Sequence, residues 1–382
     1  MRDWTARPSV DPAIDAKFMA EALALGRAML GQTWPNPAVG AVVVKDGVVV
    51  GRGATQAGGR PHAEAMALEQ AGLHAVSATL YVTLEPCAHR SVRGGTPCVE
   101  HTILSGVRRV VSALSDPNPH IAGLGHALLR SAGVSVTVLE SADALHDHLG
   151  HILRVREGRP LITLKLAHTA DGYCAPLGGG RLAISGNAAM QEVHKLRASH
   201  EAIMVGVGTV ISDDPALSIR LASAPERFPI RIVLDTNLRL PLDMKLVHAA
   251  NTHPVWVIAA RDAPAAPELA LRAAGVEVMR VERAEGGGID LLAALRLLGA
   301  RGITRVFSEG GPTIAEALAV AGLADRIILS RADAALGKPG MPAILPALAA
   351  HLAAHLADPA LMLTRGESRH GSDVFTHYEK VI

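Results

Sequence analysis

The sequence Pro61-His62-Ala63-Glu64 opens a helical pattern that runs to about Ala71 and stops at Gly72. Proline before a helix and glycine after it are ordinary helix boundaries. His62 and Glu64 are therefore expected in the first turn of this helix. Further along the chain, Pro86-Cys87 follows an apolar strand pattern, and Pro97-Cys98 opens another apolar stretch. A helix N-terminus carries partial positive charge, which favours the thiolate form of a cysteine placed there.

These residue types form a donor set for zinc. One imidazole, from His62, and two thiolates, from Cys87 and Cys98, suit this metal, and three protein ligands leave a fourth position for a water whose pKa falls to about 7. Glu64 is not needed as a ligand and is free to move protons. A structural zinc knuckle is the alternative, but it needs a fourth ligand, for which only His89 or His101 lies nearby. His-x-Glu followed by Pro-Cys is the pattern of zinc deaminases, so the sequence predicts removal of an amino group from a heterocycle.

The interval between the two cysteines is unusually long for such a site. Ten residues separate Cys87 from Cys98, and they include His89, Arg90 and Arg93. Most zinc deaminases have two residues at this point, as in the Pro-Cys-x-x-Cys pattern. The positive charge of the loop suits an anionic substrate such as a phosphate ester.

Composition limits the class of protein. The chain has 382 residues, enough for two domains with separate cores. A formal net charge of +1 and an aromatic content of 3% argue against a nucleic-acid substrate. Three cysteines, two of them assigned to zinc, favour a reducing compartment. The N-terminus lacks the apolar core of a signal peptide, and the Ala/Leu-rich stretch 345–363 is broken by prolines and polar residues. We therefore expect a cytoplasmic protein without a membrane span.

Periodicity predicts two α/β domains. In residues 1–150, a helix over 15–30, a hairpin about Asp46-Gly47 and three apolar strands near 80–84, 109–113 and 134–139 indicate a three-layer fold. A polar stretch from His146 to Pro160 is taken as the boundary. In residues 160–382, strands alternate with helices, which favours a largely parallel sheet covered on both faces. The predicted strands begin near residues 161, 202, 230, 255, 276, 305 and 327, and the predicted helices near 187, 267, 289 and 313.

Two glycine-rich turns in the second half suit a nucleotide. Gly310-Gly311-Pro312-Thr313 follows a short strand and opens a helix, and Gly206-Val207-Gly208-Thr209 offers a second turn of this kind. Each is equally consistent with an ordinary tight turn. No G-x-G-x-x-G follows a strand, so a Rossmann cofactor domain is not supported.

The motifs, taken in order, resemble the bifunctional riboflavin-biosynthesis deaminase/reductase family. The first half carries Pro35-Asn36-Pro37-Ala38-Val39-Gly40, His62-Ala63-Glu64, Thr83-Leu84-Glu85-Pro86-Cys87 and Asp116-Pro117-Asn118-Pro119. The second half carries Lys165-Leu166, Asp171-Gly172, Val205-Gly206-Val207-Gly208-Thr209, Asp213-Asp214-Pro215-Ala216-Leu217 and Glu309-Gly310-Gly311-Pro312-Thr313. The resemblance spans about residues 16 to 380 and implies a cytidine-deaminase-like domain followed by a dihydrofolate-reductase-like domain.

The resemblance also implies ligands and roles. The substrate would be a pyrimidine bearing a phosphoribosylamino group, deaminated with Zn²⁺ and Glu64 and then reduced by NADPH at the ribosyl carbon, in a homo-oligomer. The implied cofactor-binding positions are His168, Ala183, Thr209, Asp213, Thr236, Gly311, Pro312 and Thr313. The implied substrate-binding positions are Asn36, Lys165, Arg181, Arg197, Leu217, Arg220 and Glu309. The chain departs from the family pattern in its longer Cys87–Cys98 loop and in Ala183, where members often have tryptophan.

Two other functions stay open at this point. One is a deaminase fused to a nucleotide-binding module that does not catalyse reduction. The other is a zinc-stabilised scaffold with no catalytic role, in which replacing Glu64 would change nothing.

Overall fold

The computed structural model describes residues 11–89, 95–178, 182–221 and 226–381. The chain forms two compact units, Met1–Glu157 and Gly158–Ile382. The elements of the first unit are α1 (Pro12–Arg27), β1 (Gly40–Lys45), β2 (Val48–Ala54), α2 (Ala63–Ala71), β3 (Thr79–Val82), α3 (Cys98–Leu104), β4 (Arg109–Ser112), α4 (Leu124–Ser131), β5 (Ser135–Val138) and α5 (Ala142–Glu157).

The first unit has the three layers predicted for it. Its sheet has the order β2-β1-β3-β4-β5, in which β1 is antiparallel to both neighbours and β3, β4 and β5 are parallel. Apolar side chains of α1 and α5, including Phe18 and Ala144, pack on one face of the sheet. Those of α2, α3 and α4, including Leu68, Val99 and Leu129, pack on the other. The prediction of an α/β domain with helices on both faces is confirmed.

The helix that carries His62 and Glu64 lies unusually close to the sheet. A Cβ atom added to Gly53 would stand 2.1 Å from the carbonyl oxygen of Ala63, and one added to Gly51 would stand 2.1 Å from that of Ala67. Contacts this short exclude any side chain. Glycines on β2 therefore allow α2 to sit directly on the strand, which fixes the start of α2 relative to the sheet.

A buried ion pair ties α1 to the sheet. Arg109 donates two hydrogen bonds to Asp15, at 2.8 and 2.6 Å, and the Tyr81 hydroxyl donates a third at 2.9 Å. The Arg109 and Asp15 side chains are only 4% and 3% exposed. Because of its burial and its bond to Asp15, the pKa of Tyr81 is raised.

The second unit contains a nine-stranded sheet. Its elements are β6 (Leu161–His168), β7 (Tyr173–Pro176), α6 (Asn187–Ala198), β8 (Ala202–Gly206), α7 (Val207–Asp213), β9 (Ile230–Leu234), α8 (Lys245–His248), β10 (Val255–Ala260), α9 (Ala265–Ala273), β11 (Glu277–Val281), α10 (Leu291–Ala300), β12 (Arg305–Ser308), α11 (Gly311–Val320), β13 (Arg326–Arg331), β14 (Gly340–Pro342), α12 (Pro346–Leu356), β15 (Met362–His370) and β16 (Asp373–Lys380). The order is β11-β10-β9-β8-β12-β6-β13-β16-β15.

The first seven strands in that order are parallel, and β16 is antiparallel to both of its neighbours, β13 and β15. The carboxyl ends of the parallel strands therefore meet at one edge of the sheet, where open α/β sheets bind ligands. Helix α11 packs on one face, through Ala315 and Leu318, and α6 packs on the other, through Ala189 and Val193. The prediction of a largely parallel sheet covered on both faces is confirmed.

The two units divide between Glu157 and Gly158, which lies inside the polar stretch from His146 to Pro160 that was taken as the boundary. Most of this stretch is helical, however, because it belongs to α5. The reason is amphipathicity, because α5 buries Leu149, Ile152 and Leu153 and exposes its charged side. The Ala/Leu-rich stretch contains α12, and in the described part of the chain no helix is long and apolar enough to cross a membrane.

Replacing Asp15 with alanine should lower the free energy of unfolding of the first unit by about 3–5 kcal/mol, because the substitution leaves the buried guanidinium of Arg109 unpaired. Urea titration of the full chain, followed by circular dichroism, measures the change. Asp143→Ala is the matched control. It removes an exposed carboxylate that lies 4.0 Å from Arg27, and it should cost less than about 1 kcal/mol. Equal stability of the two variants would contradict the importance of the buried pair.

Candidate active sites

In the first unit, three side chains converge as the sequence predicted. The ligand atoms of His62, Cys87 and Cys98 all lie within 4.8 Å of one another. The Nδ1 atom of His62 faces both sulfurs, at 3.3 Å from Cys98 Sγ and 3.7 Å from Cys87 Sγ. His62 caps the N-terminus of α2, Cys98 is the first residue of α3, and the backbone N–H of Cys98 lies 3.4 Å from Cys87 Sγ.

A hydrogen bond joins the two thiols. The hydrogen bond from Cys98 lowers the pKa of Cys87 to about 4, and the same contact, together with burial, raises the pKa of Cys98. The pKa of His62 is raised, chiefly by its hydrogen bond with Cys87. The surroundings thus favour the thiolate form of Cys87, and both sulfurs must be deprotonated to act as metal ligands.

Glu64 lies beside this cluster without belonging to it. Its side chain is buried, in the first turn of α2, and it forms a hydrogen bond with the Cys98 thiol. Burial, followed by the negative charge of Cys87, raises the pKa of Glu64 to about 7. Such a carboxyl group can both accept and donate a proton near neutral pH.

The donor set fits zinc. One imidazole nitrogen and two sulfurs at these separations match ligands that each stand 2.0–2.3 Å from a single tetrahedral ion. In the described parts of the chain, no fourth histidine, cysteine or carboxylate joins the group, so neither His89 nor His101 closes it. The set therefore matches an open site with room for water rather than a closed structural knuckle.

Asn36 is held against the metal-binding histidine. Its amide nitrogen donates to the carbonyl of Gly59 at 2.7 Å and lies 3.3 Å from Nε2 of His62. Gly59 has a φ of +87° and would bring a Cβ to within 2.8 Å of Thr33, so only glycine fits there. Asn36 therefore contacts the imidazole nitrogen that does not face the two sulfurs, and it can hold the His62 ring in place.

The buried carboxylate of Glu85 was not predicted as a functional group. One of its oxygens accepts from the backbone N–H groups of Asp116 and Gly123, both at 2.9 Å, and the other accepts from those of Gly125, at 2.8 Å, and His126, at 3.3 Å. Glu85 stands two residues before Cys87. It therefore fastens the loop that carries this ligand to the segment before α4. The only sequence signal was its place between Thr83-Leu84 and Pro86-Cys87.

Two of the cationic loop residues, Arg90 and Arg93, lie outside the described residues. Arg181, predicted to contact substrate, also lies outside them.

In the second unit, three residues predicted to bind substrate lie close together, namely Arg197, Glu309 and Lys165. Arg197 of α6 donates two hydrogen bonds to Glu309, at 2.8 and 3.2 Å. Burial lowers the pKa of Lys165 on β6. The charges of Glu309 and Arg197 also influence this pKa, so Lys165 lies close to both. Glu309 directly follows β12, so all three lie at the carboxyl edge of the sheet.

Leu217 and Arg220 lie on the adjoining loop. Arg197 donates to the carbonyl of Ser218 at 2.8 Å, and the backbone N–H of Arg220 donates to Nδ1 of His194 at 3.2 Å. Leu217 is buried with a φ of +50°, and the Arg220 side chain is exposed. Helix α6 therefore holds this loop through Arg197 and His194, of which His194 was not predicted from the sequence.

The predicted glycine-rich turns lie together. The Thr209 hydroxyl donates to the carbonyl of Gly310 at 3.5 Å, and a Cβ on Gly311 would stand 3.7 Å from the same hydroxyl. Gly311 has a φ of +75°, and with Pro312 and Thr313 it forms the first turn of α11. This pair of turns leaves helix N-termini at the carboxyl edge, where they can bind phosphate.

The remaining predicted cofactor positions are more scattered. His168 ends β6, and Thr236 follows β9, so parallel pairing places both at the same edge as Thr209. Asp213 ends α7, one helix length beyond β8, and accepts from Ser212. Ala183 is exposed in the segment before α6. The structure shows no contact that joins Asp213 or Ala183 to the other described positions.

Comparison with known proteins agrees with this division of the chain. The family model of the cytidine and deoxycytidylate deaminase zinc-binding region matches residues 12–114, and that of the RibD C-terminal domain matches 160–356. The first unit is thus cytidine-deaminase-like and the second is a dihydrofolate-reductase-like reductase domain, as the resemblance implied.

Similar proteins match across both units. The chain is 40% identical over 329 residues to riboflavin biosynthesis protein RibD of Aquifex aeolicus, which covers 85% of this chain and 88% of that protein. It is 38% identical over 339 residues to RibD of Escherichia coli, covering 85% and 89%. The structure of Acinetobacter baumannii RibD superimposes with a TM-score of 0.83 at 31% identity, covering 97% of this chain and 100% of that one.

A Thermotoga maritima structure, described as a diaminohydroxyphosphoribosylaminopyrimidine deaminase/5-amino-6-(5-phosphoribosylamino)uracil reductase, superimposes with a TM-score of 0.79 at 29% identity and covers 96% and 99% of the two chains. Identity of this degree over both units, together with the two matched family models, leads to one conclusion. The chain belongs to the RibD family of bifunctional enzymes, in which a deaminase domain is joined to a reductase domain.

Proposed function

We propose that this chain deaminates 2,5-diamino-6-(5-phosphoribosylamino)pyrimidin-4-one and then reduces the ribosyl group of the product to ribityl. The observation that carries the proposal is the open cluster of His62, Cys87 and Cys98 with the buried carboxyl group of Glu64 beside it. Membership in the RibD family supplies the substrate class. Zn²⁺ and NADPH are the proposed cofactors.

In the deaminase unit, His62, Cys87 and Cys98 would hold Zn²⁺, which supplies an activated water when bound. Glu64 takes a proton from that water and passes it to a ring nitrogen of the pyrimidine. It would then take the remaining proton of the added oxygen and deliver it to the departing amine, which leaves as ammonia. A pKa of about 7 suits Glu64 to both transfers. Asn36 contacts and orients the substrate from its position against His62.

In the reductase unit, the residues bind and orient the opened ribosyl group, and NADPH supplies the hydride that reduces its C1. The turns that carry Thr209 and Gly311-Pro312-Thr313 would bind the cofactor phosphates. His168, Asp213, Thr236 and Ala183 are the other proposed cofactor contacts. Lys165, Glu309 and Leu217 would contact the substrate, with Arg181 proposed alongside them by resemblance.

The two arginines in this unit have different surroundings, which suggests different tasks. The guanidinium of Arg197 donates hydrogen bonds to Glu309 and to the carbonyl of Ser218. The exposed guanidinium of Arg220 forms no hydrogen bond or ion pair with any residue that the structure describes. We assign Arg220 to the substrate phosphate and Arg197 mainly to orienting Glu309.

The proposed partners are small molecules alone. The formal net charge of +1 and the low aromatic content give no support to a nucleic-acid partner. We further propose a homo-oligomer in the cytoplasm, with domain limits near residues 150 and 160. The competing function, a deaminase joined to a nucleotide sensor, gains no observation in its favour.

The coupled reaction tests the proposal directly. When the full chain, zinc and NADPH are given the phosphoribosylamino-pyrimidine, ammonia should appear first and NADPH oxidation should follow, with one NADPH consumed per ammonia. An enzyme-linked ammonia assay and absorbance at the NADPH band measure the two signals. Ammonia without NADPH oxidation would favour the sensor, and no ammonia would reject the deaminase assignment.

Replacing Glu64 with glutamine should lower ammonia release by at least about 10²-fold, because general acid–base catalysis is lost. One zinc per chain should remain bound, as measured by metal analysis. Glu69→Gln, at an exposed position of the same helix, is the matched control and should keep full activity.

Cys98→Ser provides the contrast, since it removes a ligand and should lose zinc and ammonia release together. NADPH oxidation with the deaminated substrate should persist in both Glu64→Gln and Cys98→Ser. Normal ammonia release by Glu64→Gln would contradict its proton-transfer role.

Replacing Arg220 with methionine should raise the KM of the reductase for its phosphorylated substrate by about 10- to 100-fold, because a charge-assisted hydrogen bond is lost. Ammonia release should not change. Steady-state NADPH oxidation measures the effect, with Arg296→Met, an exposed cation on α10, as the control. An unchanged KM would remove Arg220 from the phosphate site.

A further inference from the structure

The C-terminal hairpin places a buried carboxylate at the carboxyl edge of the reductase sheet. Asp373 follows the tight turn between β15 and β16 and is 2% exposed. Its neighbour Val374 pairs with Arg331, and Arg331 pairs with His168 at the end of β6. Strand β16 runs antiparallel to β13, so it begins where the parallel strands end. The matched RibD C-terminal domain stops at residue 356, before this hairpin.

Asp373 is bonded to the start of α6. The backbone N–H of Gly186, which caps α6, donates to Asp373 Oδ2 at 3.1 Å. The Ser372 hydroxyl donates to the other carboxylate oxygen at 3.3 Å. The turn residue Gly371 also lies against the helix, since a Cβ on it would stand 3.4 Å from that of Ala188. The hairpin tip therefore fixes the N-terminus of the helix that carries His194 and Arg197.

Asp373 also lies on the same face of the sheet as Lys165. Two residues beyond Asp373, Phe375 packs with Ile328 and with α6. Ile328 is the β13 partner of Lys165. Side chains two residues apart on a strand share a face, and so do directly paired ones. The charged groups that influence the pKa of Lys165 are Glu309 beyond β12, Arg197 from α6 and Asp373 from β16.

We propose that Asp373 is a positioning residue of the reductase site, which fixes the start of α6 and places a negative charge on the face of the sheet that carries Lys165. This inference rests on the proposed reductase function. It adds a residue from the C-terminal hairpin to a site otherwise built from the parallel strands.

The charge of Asp373 requires more than a structural explanation. An amide oxygen would accept the hydrogen bond from Gly186 as well as a carboxylate does. A buried carboxylate costs free energy unless opposite charge offsets it. In the part of the chain that the structure describes, Asp373 forms no ion pair within 4.0 Å. The positive N-terminus of α6, which Asp373 contacts through Gly186, offsets part of this cost, and the charge of Lys165 contributes from a longer distance.

The sign of the effect on pH dependence follows from these charges. Burial and Arg197 lower the pKa of Lys165, whereas Glu309 and Asp373 raise it. Removing the Asp373 charge lowers this pKa further, so the ammonium form is lost at a lower pH. The alkaline limb of the reductase pH profile should then move toward neutral pH.

Asp373→Asn in the full-length, zinc-loaded enzyme tests this, because the amide keeps an acceptor for Gly186 and removes the charge. With 5-amino-6-(5-phosphoribosylamino)uracil as substrate, kcat for NADPH oxidation should fall about two- to threefold at pH 8, and the alkaline limb should move down by roughly half a pH unit. Asp373→Glu keeps the charge and should retain the position of the limb. Ammonia release by the same chain is an internal control for folding. Glu367→Gln, on the same hairpin, should behave as wild type.

Three outcomes would overturn the proposal. They are a wild-type rate and pH profile for Asp373→Asn, an equal shift of the limb in Asp373→Glu, and a parallel loss of ammonia release, which would assign Asp373 to general folding. If the wild-type enzyme itself oxidises no NADPH with this substrate, the proposed reductase function fails, and this inference fails with it.

Discussion

The deaminase site depends on the carboxylate of Glu85, whose two oxygens accept four backbone hydrogen bonds. The loop that carries Cys87 has no regular secondary structure to hold it. A buried carboxylate satisfied by several amides provides a rigid attachment instead, because any displacement would leave its charge unpaired. The fit is tight, since a Cβ on Gly125 would stand 2.3 Å from the carbonyl of Pro86. This explains why two motifs 30 residues apart in the sequence belong to one site.

In the reductase unit, the order and direction of the strands bring the site residues together. Parallel strands bring their carboxyl ends to one edge without any special contact. Side chains that directly follow β8, β9 and β12 therefore meet there, although they are far apart in the sequence. The salt bridge between Arg197 and Glu309 then fixes α6 to that edge. The first unit thus positions its ligands through backbone hydrogen bonds, whereas the second relies mainly on strand order and one helix.

Much of this could be predicted from the sequence, but only where the signal is local. Buried parallel strands are largely apolar, so the start of β9 at Ile230 was predicted correctly. Zinc accepts few ligand types, which made His62 and its two cysteines recognisable. Helix α5 was not predicted, because the charged residues in its second half gave the stretch from His146 to Pro160 a polar composition. The hairpin of β15 and β16 was missed because its alternating charged residues resemble a loop. Glu85 and Asp373 could not be assigned, since their partners are backbone amides supplied by distant segments.

The short connection between the two units has a practical consequence for dissecting the enzyme. Only Gly158 to Pro160 separate α5 from β6. A Cβ on Gly299 would stand 2.1 Å from the Gly158 carbonyl, and Arg159 is buried in a pair of hydrogen bonds with Asp325 at 2.8 and 2.9 Å. Proteases require an accessible, extended segment of chain, and Arg159 and Pro160 in this connection are buried. Limited digestion should therefore not release the halves here, and a truncated reductase expressed alone must retain Arg159.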